Sequence, residues 1–235
     1  MNINQISKAI YATFLTNKFG FKLKATDSST EKIKLRTDYA ATLLGKLKID
    51  VEVIGKEKLD KTKQYLLISN HRSVIDPLII ELAMKGTGIY GHWISKKELY
   101  NSFFFGMFTR NAGTILLDRS SSQMSSFFKN TKECVAQGDS IFVFPEGTRT
   151  KDDSRLSEFK DGSQLSAVKN RLDILPMYIK NDSNSALKQA LSRKPKRSTV
   201  IIEIGDVISY KDRSMSLEEA YRHMFNIDER REHKR

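Results

Sequence analysis

A histidine and a carboxylate stand five residues apart at the joint between two apolar segments, in YLLISNHRSVIDPLIIELAM (65–84). Five residues along a continuous helix turn the chain through about 500°, which leaves two side chains far from one face. If His71 lies in a turn and Asp76 begins a helix, the chain can fold back so that the carboxylate meets the imidazole. Such a pair would fix the histidine tautomer and stabilise the imidazolium that forms when the ring accepts a proton.

The pair at 71 and 76 has two interpretations, which the stretch alone leaves open. In the catalytic interpretation, the histidine would activate a hydroxyl of the substrate, because no serine or cysteine in a nucleophile-elbow motif accompanies the pair. In the structural one, Asp76 caps a helix that begins at Pro77, because aspartate is a good N-cap and proline suits the first helical position. His71 would then be an ordinary loop histidine.

A second group of polar residues follows an apolar strand in SIFVFPEGTRTK (140–151). Gly147 permits a tight turn and a close approach of the backbone to a ligand. Arg149 offers a fork of donors that matches phosphate, and Thr148 adds a hydroxyl. An ordinary turn with a solvated arginine is the alternative, but the ends of strands are where α/β sheets build sites. We therefore interpret Glu146, Gly147, Thr148 and Arg149 as part of a site.

Two further stretches are less specific. GTILLDRS (113–120) is a strand that ends in Asp118 and Arg119, which alone would indicate a surface ion pair. In ILPMYI (174–179), Pro176 interrupts an apolar strand, and this predicts an edge position, a bulge near an opening or a sheet margin.

The charge of the chain favours an anionic partner. The 235 residues carry a formal net charge of +12, which suits nucleic acid, anionic lipid headgroups or a phosphorylated substrate. The single cysteine, Cys134, excludes an intramolecular disulfide and a cysteine zinc cluster. The amino terminus lacks the pattern of a signal peptide, and no apolar run reaches the length of about 18 residues that a spanning helix needs. We expect a protein that is cytosolic or lies on a membrane.

Strand and helix patterns alternate from residue 50 onward, which predicts an α/β fold: a mixed, largely buried β-sheet flanked by helices. An amphipathic helix is predicted at residues 4–16, and a second helix begins at Ser28 with capping-box spacing to Glu31. We predict three parts: an amino-terminal helical segment (1–48), a central domain (49–210) and a polar carboxyl-terminal helix and tail (211–235). The predicted strands cover 51–54, 65–69, 88–95, 113–118, 140–145, 174–179 and 199–205, and the predicted helices lie near 76–85, 97–108, 121–137 and 162–171.

Four stretches together resemble the glycerophospholipid acyltransferase family, most closely its bacterial 1-acylglycerol-3-phosphate acyltransferase branch. The likeness runs from about residue 48 to residue 208, and four blocks in the family's order are far more specific than a lone histidine and aspartate. The resemblance implies the glycerolipid acyltransferase fold. The blocks are NHRSVID (70–76), GTILLDR (113–119), FPEGTR (144–149) and LPM (175–177), with FKDG (159–162) as a further match.

The resemblance implies a role for each matching residue. His71 would be the general base that deprotonates the acceptor's free hydroxyl, and Asp76 would orient it. The hydroxyl would attack the thioester of acyl-CoA or acyl carrier protein, which is a co-substrate, without a covalent acyl-enzyme, a resident cofactor or a metal. The acceptor's glycerol phosphate would lie at Arg119 and at the turn formed by Glu146, Gly147, Thr148 and Arg149. Lys97 and Lys160 would be further phosphate contacts.

The family's lipid acceptor favours a peripheral position on the cytoplasmic face of the cell membrane. The opening helix has two interpretations: it packs on the core, or it lies in the membrane interface, which the resemblance favours. SRKPKRS (192–198) would contact anionic lipid or be a solvated loop. Lysophosphatidate is the expected acceptor, with another lysolipid, such as lyso-ornithine lipid or a lysophospholipid with a larger headgroup, as the alternative. A non-catalytic basic module that binds membrane or nucleic acid is the remote alternative. We expect no nucleic-acid partner, because the basic residues are scattered and form no recognised motif.

Overall fold

The structure is a computed structural model that describes residues 2–118, 124–150 and 156–227. Helices and strands alternate through most of this part of the chain. The helices are α1 (Ile3–Lys24), α2 (Ser29–Leu47), a 3₁₀ turn (Lys56–Lys58), α3 (Asp76–Met84), α4 (Lys97–Tyr100), α5 (Gly106–Asn111), α6 (Met124–Ala136), α7 (Gly162–Asn170), α8 (Ser183–Ala190) and α9 (Leu217–Met224). The strands are β1 (Ile49–Ile54), β2 (Tyr65–Ser69), β3 (Gly91–Lys96), β4 (Ile115–Leu117), β5 (Ser140–Val143), β6 (Asp173–Ile179) and β7 (Ser198–Ile204).

The strands form one seven-stranded sheet in the order β1-β7-β6-β2-β5-β3-β4. Only β6 and β7 are antiparallel; the other neighbours are parallel. All five residues of the central strand β2 are buried, because helices cover both faces of the sheet. Tyr65 and Leu67 belong to the core on one face, and Leu66 and Ile68 to the core on the other. The predicted mixed and largely buried sheet is confirmed.

The parallel arrangement brings five loops to one edge of the sheet. β2, β5, β3, β4 and β6 run in the same direction, so their carboxyl ends meet there. The loop after β2 carries His71, the turn after β5 carries Glu146, and α4 begins at Lys97 directly after β3. Helix α8, which follows β6, begins at the same edge. The predicted site residues thus come from strand ends that the topology places side by side.

The two amino-terminal helices pack on the core of the sheet. Leu15 and Phe19 of α1 and Leu44 of α2 are buried in the same cluster as Leu67 and Val200 of the sheet. α1 extends to residue 24, beyond the predicted 4–16. None of the helices in the described residues is long and apolar enough to cross a membrane.

Pro176 lies in an interior strand, so the predicted edge position is wrong. β6 has β2 on one side and β7 on the other. The carbonyl of Pro176 accepts from the amide of Gly205 (2.9 Å), which shows that the backbone polar groups of Pro176 face β7. On that side the ladder between β6 and β7 ends at the pair Met177 and Ile204. A missing N–H at this position therefore removes no ladder bond.

Two helical predictions also needed correction. The single helix predicted near 97–108 is two short helices, α4 and α5, separated by residues 101–105. α8 was not predicted at all, because a short stretch rich in serine and asparagine (SNSALKQA) has weak helix propensity. It forms because Asp182 caps it, accepting from the amide of Asn184 (3.0 Å).

Candidate active site

The loop after β2 folds back so that His71 meets Asp76. The His71 Nδ1 atom lies 2.9 Å from Asp76 Oδ2. α3 begins at Asp76, with Ile75 in the cap position, and the carboxylate turns away from the helix. It accepts from the backbone amides of Arg72 and Ser73, each at 2.7 Å. The prediction that Asp76 caps a helix beginning at Pro77 is therefore wrong, because its carboxylate binds the loop that carries the histidine.

The surroundings of the pair determine which nitrogen of His71 is available. Asp76 is fully buried and its carboxylate is an acceptor, so the adjacent Nδ1 carries the proton. Nε2 is then the nitrogen that can accept a proton, and no described residue forms a hydrogen bond with it. The His71 side chain keeps 17% of its surface exposed, which leaves a path for a substrate hydroxyl. This geometry is that of a general base, and the catalytic role itself stays a prediction.

An aromatic stack holds the plane of the imidazole. The rings of His71 and Phe144 stack at 4.0 Å between centroids with an interplanar angle of 10°. Trp93 stacks on Phe144 with 5.1 Å between centroids, and its Nε1 donates to Glu81 Oε1 (2.9 Å). Arg36 of α2 completes the cluster, with its Nε 2.9 Å from the same carboxylate oxygen. The orientation of the histidine therefore depends on a buried cluster that reaches the second helix.

Glu146 joins the turn after β5 to the histidine loop. Its Oε1 accepts from the amide of His71 (2.6 Å), and its Oε2 accepts from the amide of Ser157 (2.8 Å) and the hydroxyl of Thr150. The amide of Thr150 donates in turn to the carbonyl of His71 (2.8 Å). Burial raises the pKa of Glu146, and these hydrogen bonds oppose that rise. The carboxylate thus faces protein donors, which gives Glu146 a positioning role for His71.

The rest of the turn faces outward. Gly147 has φ of +66°, a left-handed conformation that glycine adopts without a steric penalty, and its amide donates to the carbonyl of Phe144 (2.9 Å). Thr148 and Arg149 are exposed at the same edge of the sheet. The amide of Lys160 donates to the carbonyl of Pro145 (2.9 Å), so the segment carrying Lys160 lies against this turn.

The remaining predicted phosphate contacts are at the periphery. The Lys160 ammonium lies 3.4 Å from Glu158 and is largely exposed. Lys97 lies two strands away from β2, with its Nζ 2.7 Å from Asp118 Oδ2. Arg119 lies outside the described residues. The structure therefore brings Asp76 and Glu146 into direct contact with His71. Of the predicted cations that it describes, Lys97, Arg149 and Lys160 lie at the same edge without a contact to His71.

The comparisons with known proteins give the family. The family model described as Acyltransferase matches residues 50–180, which is more than half of the chain and includes both loops of the site. This chain belongs to the acyltransferase family.

Relatives of this acyltransferase-family chain carry a common name. The "1-acyl-sn-glycerol-3-phosphate acyltransferase" of Helicobacter pylori is 37% identical over 134 residues, which cover 57% of this chain and 54% of that protein. The protein of the same name from Saccharomyces cerevisiae is 32% identical over 141 residues, covering 58% and 45%. The chain spans about half the length of the curated relatives it matches.

A solved structure shares the fold. The crystal structure titled as the 1-acyl-sn-glycerophosphate (LPA) acyltransferase PlsC from Thermotoga maritima matches with a TM-score of 0.63. The match covers 93% of this chain and 87% of that one at 23% sequence identity. At this identity the likeness shows the fold, which is the glycerolipid acyltransferase fold predicted from the sequence.

Asn70 is a site residue of this acyltransferase-family chain to which sequence reasoning gave no role. Its side chain exchanges two hydrogen bonds with the backbone of Ile179, at 3.1 and 2.8 Å, and so ties the end of β2 to the end of β6. The phenol oxygen of Tyr221 accepts from the backbone N–H of Asn70 (3.2 Å), and the phenol donates to the carbonyl of Met177 (2.6 Å). The sequence contained a signal for this role, because the side-chain amide of an asparagine can donate to one backbone group and accept from another at the end of a neighbouring strand.

Ser183 was missed for a different reason. Its hydroxyl donates to Asp76 Oδ1 at 2.6 Å, although 107 residues separate the two along the chain. No local pattern connects positions so distant, and α8 itself was not predicted.

Proposed function

We propose that this protein transfers a fatty acyl group from acyl-CoA or acyl carrier protein to the free hydroxyl of 1-acylglycerol-3-phosphate, giving phosphatidate. The observation that carries the proposal is the pair of His71 and Asp76 with Nε2 free to accept a proton. The names of the relatives support the same acceptor.

The proposed reaction needs no nucleophile from the protein. His71 Nε2 takes the proton of the acceptor hydroxyl as its oxygen attacks the thioester carbonyl. When the tetrahedral intermediate collapses, the carbon–sulfur bond breaks and the imidazolium returns the proton to the leaving thiolate. Asp76 stays ionised and stabilises the imidazolium between these two transfers. The products are the new ester and the free thiol of the carrier.

The acceptor's phosphate is proposed to lie at the turn after β5. Thr148 and Arg149 are exposed there, and an arginine binds a phosphate through two parallel hydrogen bonds. Lys160 is held against the turn through Pro145, and Lys97 lies at the same sheet edge, so both ammonium groups are proposed as further contacts. Arg119 is proposed from its sequence position alone.

A thiol-release assay tests the function. Purified protein is given lysophosphatidate with acyl-CoA or with acyl carrier protein, and the free thiol is measured together with the lipid product. Release of thiol that requires the lysolipid supports the proposal and identifies the donor. Absence of turnover with both donors across a panel of lysolipids contradicts it.

Replacing Arg149 with alanine should act mainly through the acceptor's phosphate. We expect the KM for lysophosphatidate to rise about tenfold or more, because a charge-assisted bidentate contact is lost. A lysolipid whose phosphate carries a larger headgroup should be affected much less. Arg213→Ala, an exposed arginine beyond β7, is the matched control and should behave like the wild type. An equal loss with all acceptors would contradict a role in binding a bare phosphate.

We also propose that the protein binds the cytoplasmic face of the cell membrane peripherally through α1. Five large apolar side chains of α1 are exposed on one face at helical spacing. Three consecutive exposed phenylalanines (103–105) precede α5, which packs on α1 so closely that a Cβ at Gly20 would lie 2.8 Å from Met107. The basic segment 192–198 lies beside the first turn of α1, because Asn4 donates to the carbonyl of Ser192 (2.7 Å). The exposed side chains of α1 are Ile3, Ile6, Ile10, Phe14 and Phe21.

Vesicle sedimentation tests the membrane proposal. With vesicles that contain phosphatidylglycerol, the affinity of the double variant Ile10→Ser/Phe14→Ser should fall by about tenfold or more, because less apolar area is buried in the membrane. Val207→Ser, which changes an exposed apolar residue next to β7, is the control and should bind like the wild type. Unchanged binding of the double variant would exclude this face of α1 as the lipid contact.

A further inference from the structure

The two oxygens of the Asp76 carboxylate have different partners. Oδ2 accepts from His71 Nδ1 and from the amides of Arg72 and Ser73. Oδ1 accepts from the hydroxyl of Ser183 at 2.6 Å, and no other described residue donates a hydrogen bond to Oδ1. Asp76 and Ser183 are both fully buried, so bulk water has no access to this hydrogen bond. A buried carboxylate oxygen is satisfied here by one side chain from a distant element.

Other elements hold both the strand that leads into the helix carrying Ser183 and the end of that helix. Four residues before α8, the backbone of Ile179 at the end of β6 is fixed by Asn70, the residue that precedes His71. At the end, the last carbonyls of α8 bind side chains from the first turns of α1: the Lys8 ammonium and the Asn4 amide donate to the carbonyl of Ala190, at 2.6 and 3.2 Å. Asn2 donates to the next carbonyl (3.1 Å). Contacts other than the one to Asp76 therefore also hold the helix that carries the Ser183 hydroxyl.

We propose that Ser183 is a positioning residue that tunes the basicity of His71 through Asp76. Its hydroxyl draws negative charge toward Oδ1 and so weakens the pull of Oδ2 on the imidazole proton. This inference rests on the proposed function only in that His71 is the base of the reaction. Nothing in it requires a particular donor or acceptor.

Removal of the hydroxyl has a predictable sign. In Ser183→Ala, Oδ1 is left buried without a donor, and the charge of Asp76 acts more strongly on His71. The other charged groups beside these residues are Glu146, which accepts from the His71 amide (2.6 Å), and the pair of Arg72 and Asp182 (3.9 Å), and the substitution replaces none of them. The imidazolium is then favoured relative to the neutral ring, so a higher pH is needed to produce the basic form. We expect the acid limb of the kcat/KM profile to move up by about half a pH unit or more, and kcat to fall about tenfold at neutral pH because Asp76 is held less firmly.

Nuclear magnetic resonance measures the same effect without any substrate. The chain has four histidines, so the His71 ring signals can be assigned by comparison with His71→Gln. The titration of His71 in Ser183→Ala should move to higher pH relative to the wild type by the same amount as the acid limb. If the wild-type protein shows no turnover, the proposed function fails while this titration still decides the role of Ser183.

Two variants make the result unambiguous. Ser166→Ala removes another buried serine hydroxyl, one that donates only within its own helix α7, and it should leave the His71 titration unchanged. Ser183→Cys keeps a weak donor and should shift the titration by an intermediate amount; it also replaces the alanine variant if that variant does not fold. A folded Ser183 variant whose His71 titration superimposes on that of the wild type would overturn the proposal.

Discussion

Replacing His71 with alanine is expected to lower kcat/KM by at least about a thousandfold, which is the loss of general-base catalysis. The ring is the only group with a free proton-accepting nitrogen in the described part of the site, and Asp76 has no direct route to the substrate because it is fully buried. The measurement is steady-state thiol release with saturating donor. The KM for the acceptor should change little, because the proposed phosphate contacts lie on the other loop.

The control for this variant is a histidine outside the site. His223 of α9 is exposed, and His223→Gln should keep wild-type activity. Circular dichroism and the melting temperature of His71→Ala should match those of the wild type, since His71 contributes one side-chain hydrogen bond and one ring stack. Activity within tenfold of the wild type in a folded His71→Ala protein would exclude this residue as the base.

Replacing Arg36 with leucine is expected to lower the free energy of unfolding by about 3 to 5 kcal/mol, because it leaves a buried carboxylate without its charge partner. The side chains of Arg36 and Glu81 are only 4% and 8% exposed, and their closest atoms are 2.9 Å apart. Arg36 also donates to the carbonyls of Ala112 (2.9 Å) and Gly91 (2.6 Å), which lose their donors in the variant. Chemical denaturation monitored by the single tryptophan, Trp93, measures the loss.

An exposed ion pair provides the comparison. Arg197 and Asp50 lie 2.7 Å apart with 68% and 48% of their side chains exposed, and Arg197→Ala should leave the free energy of unfolding close to that of the wild type. The double variant Arg36→Leu/Glu81→Leu should regain part of the lost stability, because no unpaired charge then remains. Equal losses for Arg36→Leu and Arg197→Ala would contradict the view that burial makes the first pair matter.

The sequence predicted the sheet well because its strands are short, apolar and separated by clear helices. YLLIS was predicted as strand 65–69, and β2 has those bounds. The same periodicity reasoning placed His71 and Asp76 at a joint, where a family resemblance gave them a shared role. Of the positions predicted for Pro176, the edge strand is wrong. An interior strand accepts this proline because the ladder between β6 and β7 ends at the next residue, Met177.

The parts that sequence could not predict depend on contacts between distant segments. The orientation of the Asp76 carboxylate requires amides that precede it and a serine far beyond it, so cap chemistry alone gave the wrong partner. Glu146 was grouped with phosphate-binding residues by its motif, and only the fold shows its carboxylate turned toward the His71 amide. Burial of a polar side chain is a property of the packed chain, and no residue pattern within one loop determines it.

The length of α8 is constrained because its first residue, Ser183, binds Asp76 and its last residue, Ala190, binds side chains of α1. Eight residues span about 12 Å, and one inserted residue would lengthen the helix by about 1.5 Å and rotate one end by about 100° relative to the other. Ser183 could then no longer reach Asp76 while Ala190 kept its partners on α1. The spacing between the first helix and the Asp76 carboxylate is therefore fixed by the number of residues in α8.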